Sequence, residues 1–162
     1  MNEIALSTLK YTAPFIAGFI IKSFLDFESA AFLVKRLSLL PTRWIYRSKE
    51  TNISGMWEQK WEVESENYPK STDRHGHTEM KQFFKYCYAE FYSRGEKYVF
   101  FGKLNKEYLT GRWYSADDEN GYFGTFELLL KNSNSMSGMW IGHSKETRVI
   151  NTGKWHWRRL PK

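Results

Sequence analysis

The sequence predicts a mainly β protein: a small closed antiparallel β-barrel of about eight strands, preceded by one or two membrane-associated helices at the N-terminus. Three observations support this prediction. Aromatic residues make up 18% of the chain, which suits strands better than a helical bundle. From residue 53 onward, short segments with a period of two alternate with polar turns, and four of the tryptophans share a Gly-containing motif. The first 49 residues are instead apolar and helical in character.

The shared motif is a hydroxyl residue, a Gly, one variable residue and a Trp. Repeated Gly/aromatic motifs are typical of small antiparallel barrels. Gly permits a bulge or a close backbone approach, and a Trp two residues later lies on the same strand face. We therefore expect each Trp ring to cover the gap left by the Gly of its own motif. The four copies lie at 54–57, 110–113, 137–140 and 152–155.

The predicted division is an N-terminal membrane or helical segment at 1–49 and a β-barrel sensor domain at 50–162. The apolar stretch 4–25 has about the ~20 residues of a transmembrane helix, and Lys10 and Lys22 would reach opposite interfaces. It lacks the basic start and the cleavage site of a secretory signal peptide. A second apolar stretch, 30–40, is predicted to be an amphipathic or short membrane helix.

The charges around these two stretches predict an orientation. Asp26 and Glu28 lie between them, whereas basic residues cluster after the second. By the positive-inside rule the barrel then faces the cytoplasm, with the acidic turn outside. The alternative is a helical hairpin that packs on the barrel of a soluble protein.

The strands follow in order. Residues 57–64 alternate between aromatic or apolar and charged side chains, and 65–77 are expected to form a polar loop. Residues 79–92 and 97–104 are predicted to pair as a hairpin that is apolar on both faces, so N-terminal helices or a second subunit should cover it. An eighth strand would come from 44–46 or from splitting 79–92. The remaining strands are predicted at 108–115, 122–131, 136–142 and 149–160.

Motifs for catalysis are missing from the sequence. It contains no Gly-x-Ser-x-Gly elbow, no Walker loop and no His-Glu-x-x-His, so we expect neither an enzyme nor a cofactor. His75 and His77, with Asp73 or Glu79 nearby, are too few ligands to predict a metal site. The single cysteine, Cys87, excludes an intramolecular disulfide and is expected to be a buried, inert thiol.

Two strands place cations beside aromatic rings. Arg112 and Tyr114 share one face of 108–115, and Lys154 and Arg158 share one face of the last strand. Arg and Lys neutralise phosphates while planar rings stack on bases, which is the chemistry of single-stranded or cyclic nucleotide binding. These four residues are the predicted ligand-binding residues.

The overall charge agrees with an anionic partner: the chain carries a net charge of +6, with a pI near 9.3. Most of the tryptophans, at positions 113, 140, 155 and 157, are expected to be core, because the Gly-x-Trp spacing explains them without a ligand. Barrels of this size also enclose cavities, so carriage of an apolar ligand stays open at this point.

The barrel segments resemble those of the CBASS antiphage effectors, which join two short N-terminal transmembrane helices to a minimal β-barrel. The resemblance lies in Tyr-Leu-Thr-Gly-Arg-Trp-Tyr-Ser at 108–115 and in the stretches 121–128, 136–142 and 152–157. It implies a barrel that senses a cyclic di- or oligonucleotide made by a partner nucleotidyltransferase. Ligand binding would drive homo-oligomerisation, and the membrane segments would then disrupt the inner membrane and kill the infected cell.

The partners implied by this resemblance are the second messenger and membrane lipids, and no DNA or RNA duplex. A membrane effector of type III CRISPR systems, gated by cyclic oligoadenylate, shares the layout. Avidin-like and fatty-acid-binding-like barrels share the Thr-Gly-x-Trp motif, so a lipocalin-like or fatty-acid-binding-like carrier is the other alternative.

Overall fold

The computed structural model describes residues 12–20, 22, 27–38, 50–63, 74–143 and 148–161. Eight antiparallel strands form a closed barrel in which each strand pairs with the next along the chain and the last pairs with the first. The predicted mainly β fold and closed barrel are therefore confirmed. The strands are β1 (Gly55–Trp61), β2 (His75–Phe83), β3 (Tyr86–Ser93), β4 (Glu96–Asn105), β5 (Tyr108–Ser115), β6 (Phe123–Asn132), β7 (Ser135–His143) and β8 (Ile150–Arg159).

The eighth strand comes from the long 79–92 segment, which divides into β2 and β3 at a turn formed by Phe84 and Lys85. Phe84 has a φ of 53°, which lets the chain reverse within two residues. The predicted hairpin turn between β3 and β4 is confirmed at Arg94 and Gly95, whose φ angles of 54° and 80° match a type I′ turn. The alternative strand at 44–46 lies outside the described residues.

The prediction of a loop over 65–77 is wrong at its C-terminal end, because β2 already begins at His75. The physical reason is visible in the sequence: His75 and His77 alternate with Gly76 and Thr78, so the period of two of this strand starts before its apolar residues do. The two histidines therefore lie on a paired strand, opposite β1.

Aromatic rings occupy the barrel interior. Phe100 stacks on Phe126 with ring centroids 4.0 Å apart, and Trp155 meets Phe91 and Phe100 edge-on at 5.7 and 5.6 Å. The predicted core role is confirmed for the tryptophans at 140, 155 and 157, which are at most 9% exposed. Trp113 is partly buried and packs against the same cluster. These contacts make the interior a packed core.

Cys87 is fully buried among these interior side chains, as expected. Burial raises the pKa of its thiol well above the ordinary range, since a thiolate there would lose its hydration. The thiol is therefore protonated and shielded from reagents while the barrel is folded.

The atoms nearest to the Gly of each motif belong to a neighbouring segment and not to the Trp of the same motif. The expectation that each ring covers its own Gly is therefore wrong. Gly153 pairs with Trp140 across the β7–β8 ladder, and a Cβ there would lie 1.8 Å from the Glu62 carbonyl oxygen and 2.8 Å from Trp140 Nε1. Gly111 likewise pairs with Phe126. Directly opposite positions on paired strands are closer than positions two apart on one strand, so a ring reaches the cross-strand gap first.

The helix Phe27–Leu37, called the docked helix below, packs on the outer surface of β2 and β3. Its Ala31 and Val34 are 2% and 3% exposed, because they lie against the outward side chains of Tyr88, Val99 and Phe101. The expectation that an N-terminal helix covers the apolar outer face of the β3–β4 hairpin is confirmed.

A carboxylate on β3 also ties the docked helix to the barrel. Glu90 accepts hydrogen bonds from Lys35 of the helix and from the Tyr88 hydroxyl, and Lys97 Nζ lies 3.0 Å from its Oε2. Partial burial opposes its ionisation, but hydrogen bonds from both lysines and the tyrosine outweigh that opposition and lower the pKa of Glu90 to about 2. Glu90 is therefore a carboxylate throughout the physiological pH range.

Residues 12–20 are helical, and every one of them is exposed; the exposed fractions of Phe15 and Phe19 are 79% and 66%. None of the helices in the described part of the chain has both the length and the hydropathy of a membrane crossing. About half of the predicted span 4–25 lies outside the described residues.

Candidate functional site

Six basic side chains share the outer surface of β2, β1 and β8. Each strand alternates, so that Trp57, Trp155 and Trp157 point into the core while their neighbours point outward. All six basic residues are exposed. They are called the basic face below: Lys60, His75, His77, Lys154, His156 and Arg158.

Strand register brings the six together. Lys60 of β1 lies opposite both His75 of β2 and His156 of β8. Glu58, two residues earlier on β1, lies in the same way between His77 and Arg158. Directly opposite Cβ atoms on paired antiparallel strands are about 5 Å apart, so the face is continuous over three strands. It carries three of the 4 histidines of the chain.

Two carboxylates partly neutralise the basic face. Glu58 Oε2 accepts hydrogen bonds from Arg158 Nε at 3.0 Å and Nη2 at 2.7 Å, and His75 Nε2 lies 3.6 Å from Oε1. The hydrogen bond from Arg158 is the main reason that the pKa of Glu58 falls below its usual value. Glu62 is more loosely placed, with its Oε1 4.0 Å from His156 Nε2. An anion that binds Arg158 must therefore compete with Glu58.

The predicted residues fall into two pairs. Lys154 and Arg158 lie two positions apart on the outer face of β8, within the basic face. Arg112 and Tyr114 share the outer face of β5, as predicted, but β6 and β7 separate them from β8. Three strand spacings amount to roughly 14 Å, so the structure does not join the two pairs into one site.

Tyr114 has a packing role. Its ring is half-buried and lies against the outer cluster beneath the docked helix, which includes Val99 and Phe101. Arg112 remains exposed next to it, opposite Phe101 on β4 and Thr125 on β6. The β5 pair thus offers one accessible cation beside a ring that already has apolar neighbours.

Sequence reasoning missed Lys60 and Glu58 as members of the site. Both belong to the alternating β1 segment that the sequence identifies, but only the closing β1–β8 ladder brings them beside His156 and Arg158. No local signal encodes that ladder, because its partners are about a hundred residues apart in the chain. The missed strand position of His75 and His77, in contrast, was available from their alternation.

The basic face has the chemistry of anion binding. It presents three permanent cations and three imidazoles on a rigid sheet, and such donors suit phosphate oxygens. Within the ranges that the structure describes, no three His, Cys, Asp or Glu side chains are placed to hold a metal ion.

The chain was compared with known proteins. No protein-family model matches it, and no curated protein sequence matches it significantly.

Proposed function

We propose that this protein is a membrane-anchored, non-catalytic effector of antiphage defence whose cytoplasmic barrel binds a cyclic di- or oligonucleotide on its outer surface. Binding drives self-association, and the apolar stretch that precedes the docked helix then disrupts the inner membrane. The CBASS-like arrangement of apolar N-terminal segments and a minimal barrel motivates this proposal. The observation that carries the ligand part is the basic face.

The basic face favours a phosphate-bearing ligand for a physical reason. Lys154 and Lys60 are exposed cations on adjoining strands, and Arg158 lies beside them on the outer face of β8. A guanidinium binds phosphate oxygens through two parallel N–H donors, and neighbouring cations attract the second phosphate of a cyclic dinucleotide. Arg112 and Tyr114 stay in the proposal as a second contact on β5.

Ligand binding on the outer surface of the barrel is also consistent with the packed aromatic interior. An apolar-ligand carrier needs an internal cavity of several hundred Å³. Here the rings of Phe100, Phe126 and Trp155 contact one another across the barrel axis. This packing favours the nucleotide receptor over the lipocalin-like or fatty-acid-binding-like carrier.

Isothermal titration calorimetry of the full chain in mild detergent, against cyclic di- and trinucleotides and cyclic oligoadenylates, tests the ligand part. We expect Lys154→Ala and Arg158→Ala each to weaken binding about tenfold, since a charge-assisted hydrogen bond contributes about 1.5 kcal/mol or more. Glu58→Gln should strengthen binding, because it removes the carboxylate that competes for Arg158.

Lys103→Ala is the matched control: Lys103 is an exposed lysine on β4, away from the basic face, so its loss changes net charge equally. Equal weakening by Lys103→Ala and Lys154→Ala would mean that only overall charge matters. Binding of none of the nucleotides would overturn the proposal. Selective binding of cyclic oligoadenylate would favour the type III CRISPR alternative.

The membrane part rests on the exposed apolar helical residues 12–20. Phe15, Ile16 and Phe19 are all more than half exposed, and such a surface is unfavourable in water but stable against lipid. In a flotation experiment with liposomes of bacterial lipid composition, the full chain should float with the vesicles. The Phe15→Ser/Phe19→Ser variant should stay in the soluble fraction, and flotation of both proteins alike would contradict this assignment.

A further inference from the structure

Four apolar side chains are exposed on the outer surface of β6, β7 and β8. Phe123 is 53% exposed, Met139 53%, Ile141 45% and Ile150 60%. They occupy outward positions of paired strands. Phe123 and Ile150 flank His143 of β7 in one row, with the Phe123 ring stacked on the imidazole at 5.1 Å, and Ile141 and Met139 lie in the next two rows along β7. We call these four residues the apolar strip.

The apolar strip lies on the opposite side of the barrel from the docked helix. The helix packs on β2 and β3, and β6 and β7 are four strands further around a ring of eight. The docked helix therefore cannot reach the strip while it covers the other side. Exposed apolar patches on sheets mark interaction surfaces.

The charges around the strip select the partner. Met139 has Glu127 on one side, on β6, and Lys154 on the other, on β8. Both charged residues are exposed, and neither side chain forms an ion pair with another residue that the structure describes. The Met139 row thus has a negative edge, an apolar centre and a positive edge, whereas the next row, Thr125–Ile141–Thr152, has neutral edges.

A second copy of the same surface complements this pattern. If two barrels meet face to face about a two-fold axis that runs along β7, every residue of β6 faces its row partner from β8 of the other copy. Glu127 then faces Lys154, Thr125 faces Thr152 and Phe123 faces Ile150, each pair occurring twice. Met139 and Ile141 lie on the axis and face their own counterparts.

The other in-plane two-fold axis, across the strands, gives the opposite result. With that axis through the Met139 row, Glu127 would face Glu127 and Lys154 would face Lys154, and like charges in contact are destabilising. With the axis through the Ile141 row, Glu127 would face Phe123 and Lys154 would face Ile150, so both charges would lose water without gaining a partner. The axis along β7 is the arrangement that pairs both charges. The long Glu and Lys side chains also suit the outer columns, where two convex barrels curve away from each other.

We infer that the apolar strip is a self-association surface that pairs two copies of this chain, with β7 on the two-fold axis and Glu127–Lys154 ion pairs on both sides. The inference does not depend on the proposed ligand: Lys154 also belongs to the basic face, so this dimer is the ligand-free one and is distinct from the self-association that the ligand drives. Three strands about 4.8 Å apart and three rows about 7 Å apart give a footprint of roughly 15 Å by 20 Å, on the order of 300 Å², well below the ~800 Å² per partner of a stable interface. The dimer is therefore weak and dependent on concentration.

Cross-linking of the purified full chain tests the position of the axis. Cys87 is buried, so an introduced cysteine is the reactive thiol among the described residues. Facing sheets lie about 10 Å apart, which is beyond the ~7 Å Cα separation that a disulfide tolerates, so a short bis-maleimide is used. Met139→Cys, on the axis, should give a covalent dimer whose yield rises with protein concentration.

Thr110→Cys is the control, because Thr110 is exposed in the same row but two strands from β7, on β5. Its counterpart in the dimer would lie roughly 19 Å away. Equal cross-linking of Met139→Cys and Thr110→Cys, or none with Met139→Cys, would overturn the inference; the second result would leave lipid or a different protein as the occupant of the strip.

A charge exchange tests the ion pairs. In the Met139→Cys background, Glu127→Lys should lower the dimer association constant about tenfold, because two attractive pairs become repulsive. Adding Lys154→Glu restores opposite charges across the interface, so the cross-linking yield should recover. If the double exchange stays as weak as the single one, the two-fold arrangement is wrong. A failed nucleotide titration would leave these results unaffected, so the two proposals fail separately.

Discussion

The barrel has two apolar outer faces, and the residues that the structure describes cover only one of them. On β3 and β4, Tyr88, Val99 and Phe101 point outward and are at most 7% exposed, because the docked helix lies on them. On β6 to β8, the apolar strip is 45% to 60% exposed. Both faces arise in the same way, from apolar residues at outward positions of strands. Such a pattern predicts that a face has a partner, but not whether the partner belongs to the same chain.

The largest expected difference between the two faces is in folding stability. Phe101→Ala should lower the free energy of unfolding by about 3 kcal/mol, because a buried Phe loses its contacts and leaves a cavity. Ile141→Ala, on the strip, should change it by less than about 0.5 kcal/mol, as is usual for exposed positions. Urea denaturation of dilute protein measures both. Similar losses for the two variants would show that the strip is also covered in the folded monomer.

An intermediate effect is expected at the charged contact of the covered face. Glu90→Gln removes the negative charge that Lys35 and Lys97 share, which should weaken helix docking by about 2 kcal/mol. Hydrogen exchange of the amides in residues 27–37 should accelerate accordingly. Unchanged exchange would mean that Ala31 and Val34 hold the helix without Glu90.

The same variant should change the pH dependence of stability. The folded-state pKa of Glu90 is about 2, below the ordinary value of 4.5 for a glutamate. A lowered folded-state pKa stabilises the protein above the unfolded pKa, and this stabilisation disappears as pH falls from about 5 to about 2. Glu90→Gln should therefore flatten the stability profile in that window. A profile identical to that of the wild type would contradict the assigned ion pairs.

Cys87 reports whether the barrel opens together with the helix. It lies on the inner face of β3, directly below the covered face, and burial keeps its thiol protonated. In Glu90→Gln at neutral pH, iodoacetamide labelling should stay as slow as in the wild type, while the helix amides exchange faster. Labelling that accelerates in parallel with helix exchange would indicate one cooperative unit instead of a helix that undocks from an intact barrel.

The smallest effect is expected at the ion pair of the basic face. Arg158 is 74% exposed along its side chain, and exposed ion pairs contribute little to stability. Arg158→Ala should leave the urea midpoint unchanged within error, in contrast to Glu90→Gln. A clear loss of stability would mean that the Arg158–Glu58 ion pair stabilises the pairing of β1 with β8 and has a structural role.

Local patterns predicted much of the fold and half of the site. The alternation along β8 correctly puts Lys154 and Arg158 on one face and Trp155 and Trp157 in the core. A tight turn at Phe84 was harder to predict, because a Phe in the left-handed region has no sequence signature of the kind that Gly or Asn provides. Two alternatives for the eighth strand therefore stayed open until the structure divided 79–92.

The sequence by itself determined which side of each strand faces the core, because side-chain direction alternates with a period of two that any strand must obey. The tertiary structure decided how distant segments meet. Closure of β8 onto β1 brings Arg158 to Glu58, and docking of the helix brings Lys35 to Glu90. Such contacts depend on the register and shape of the whole barrel, and no stretch of neighbouring residues specifies them.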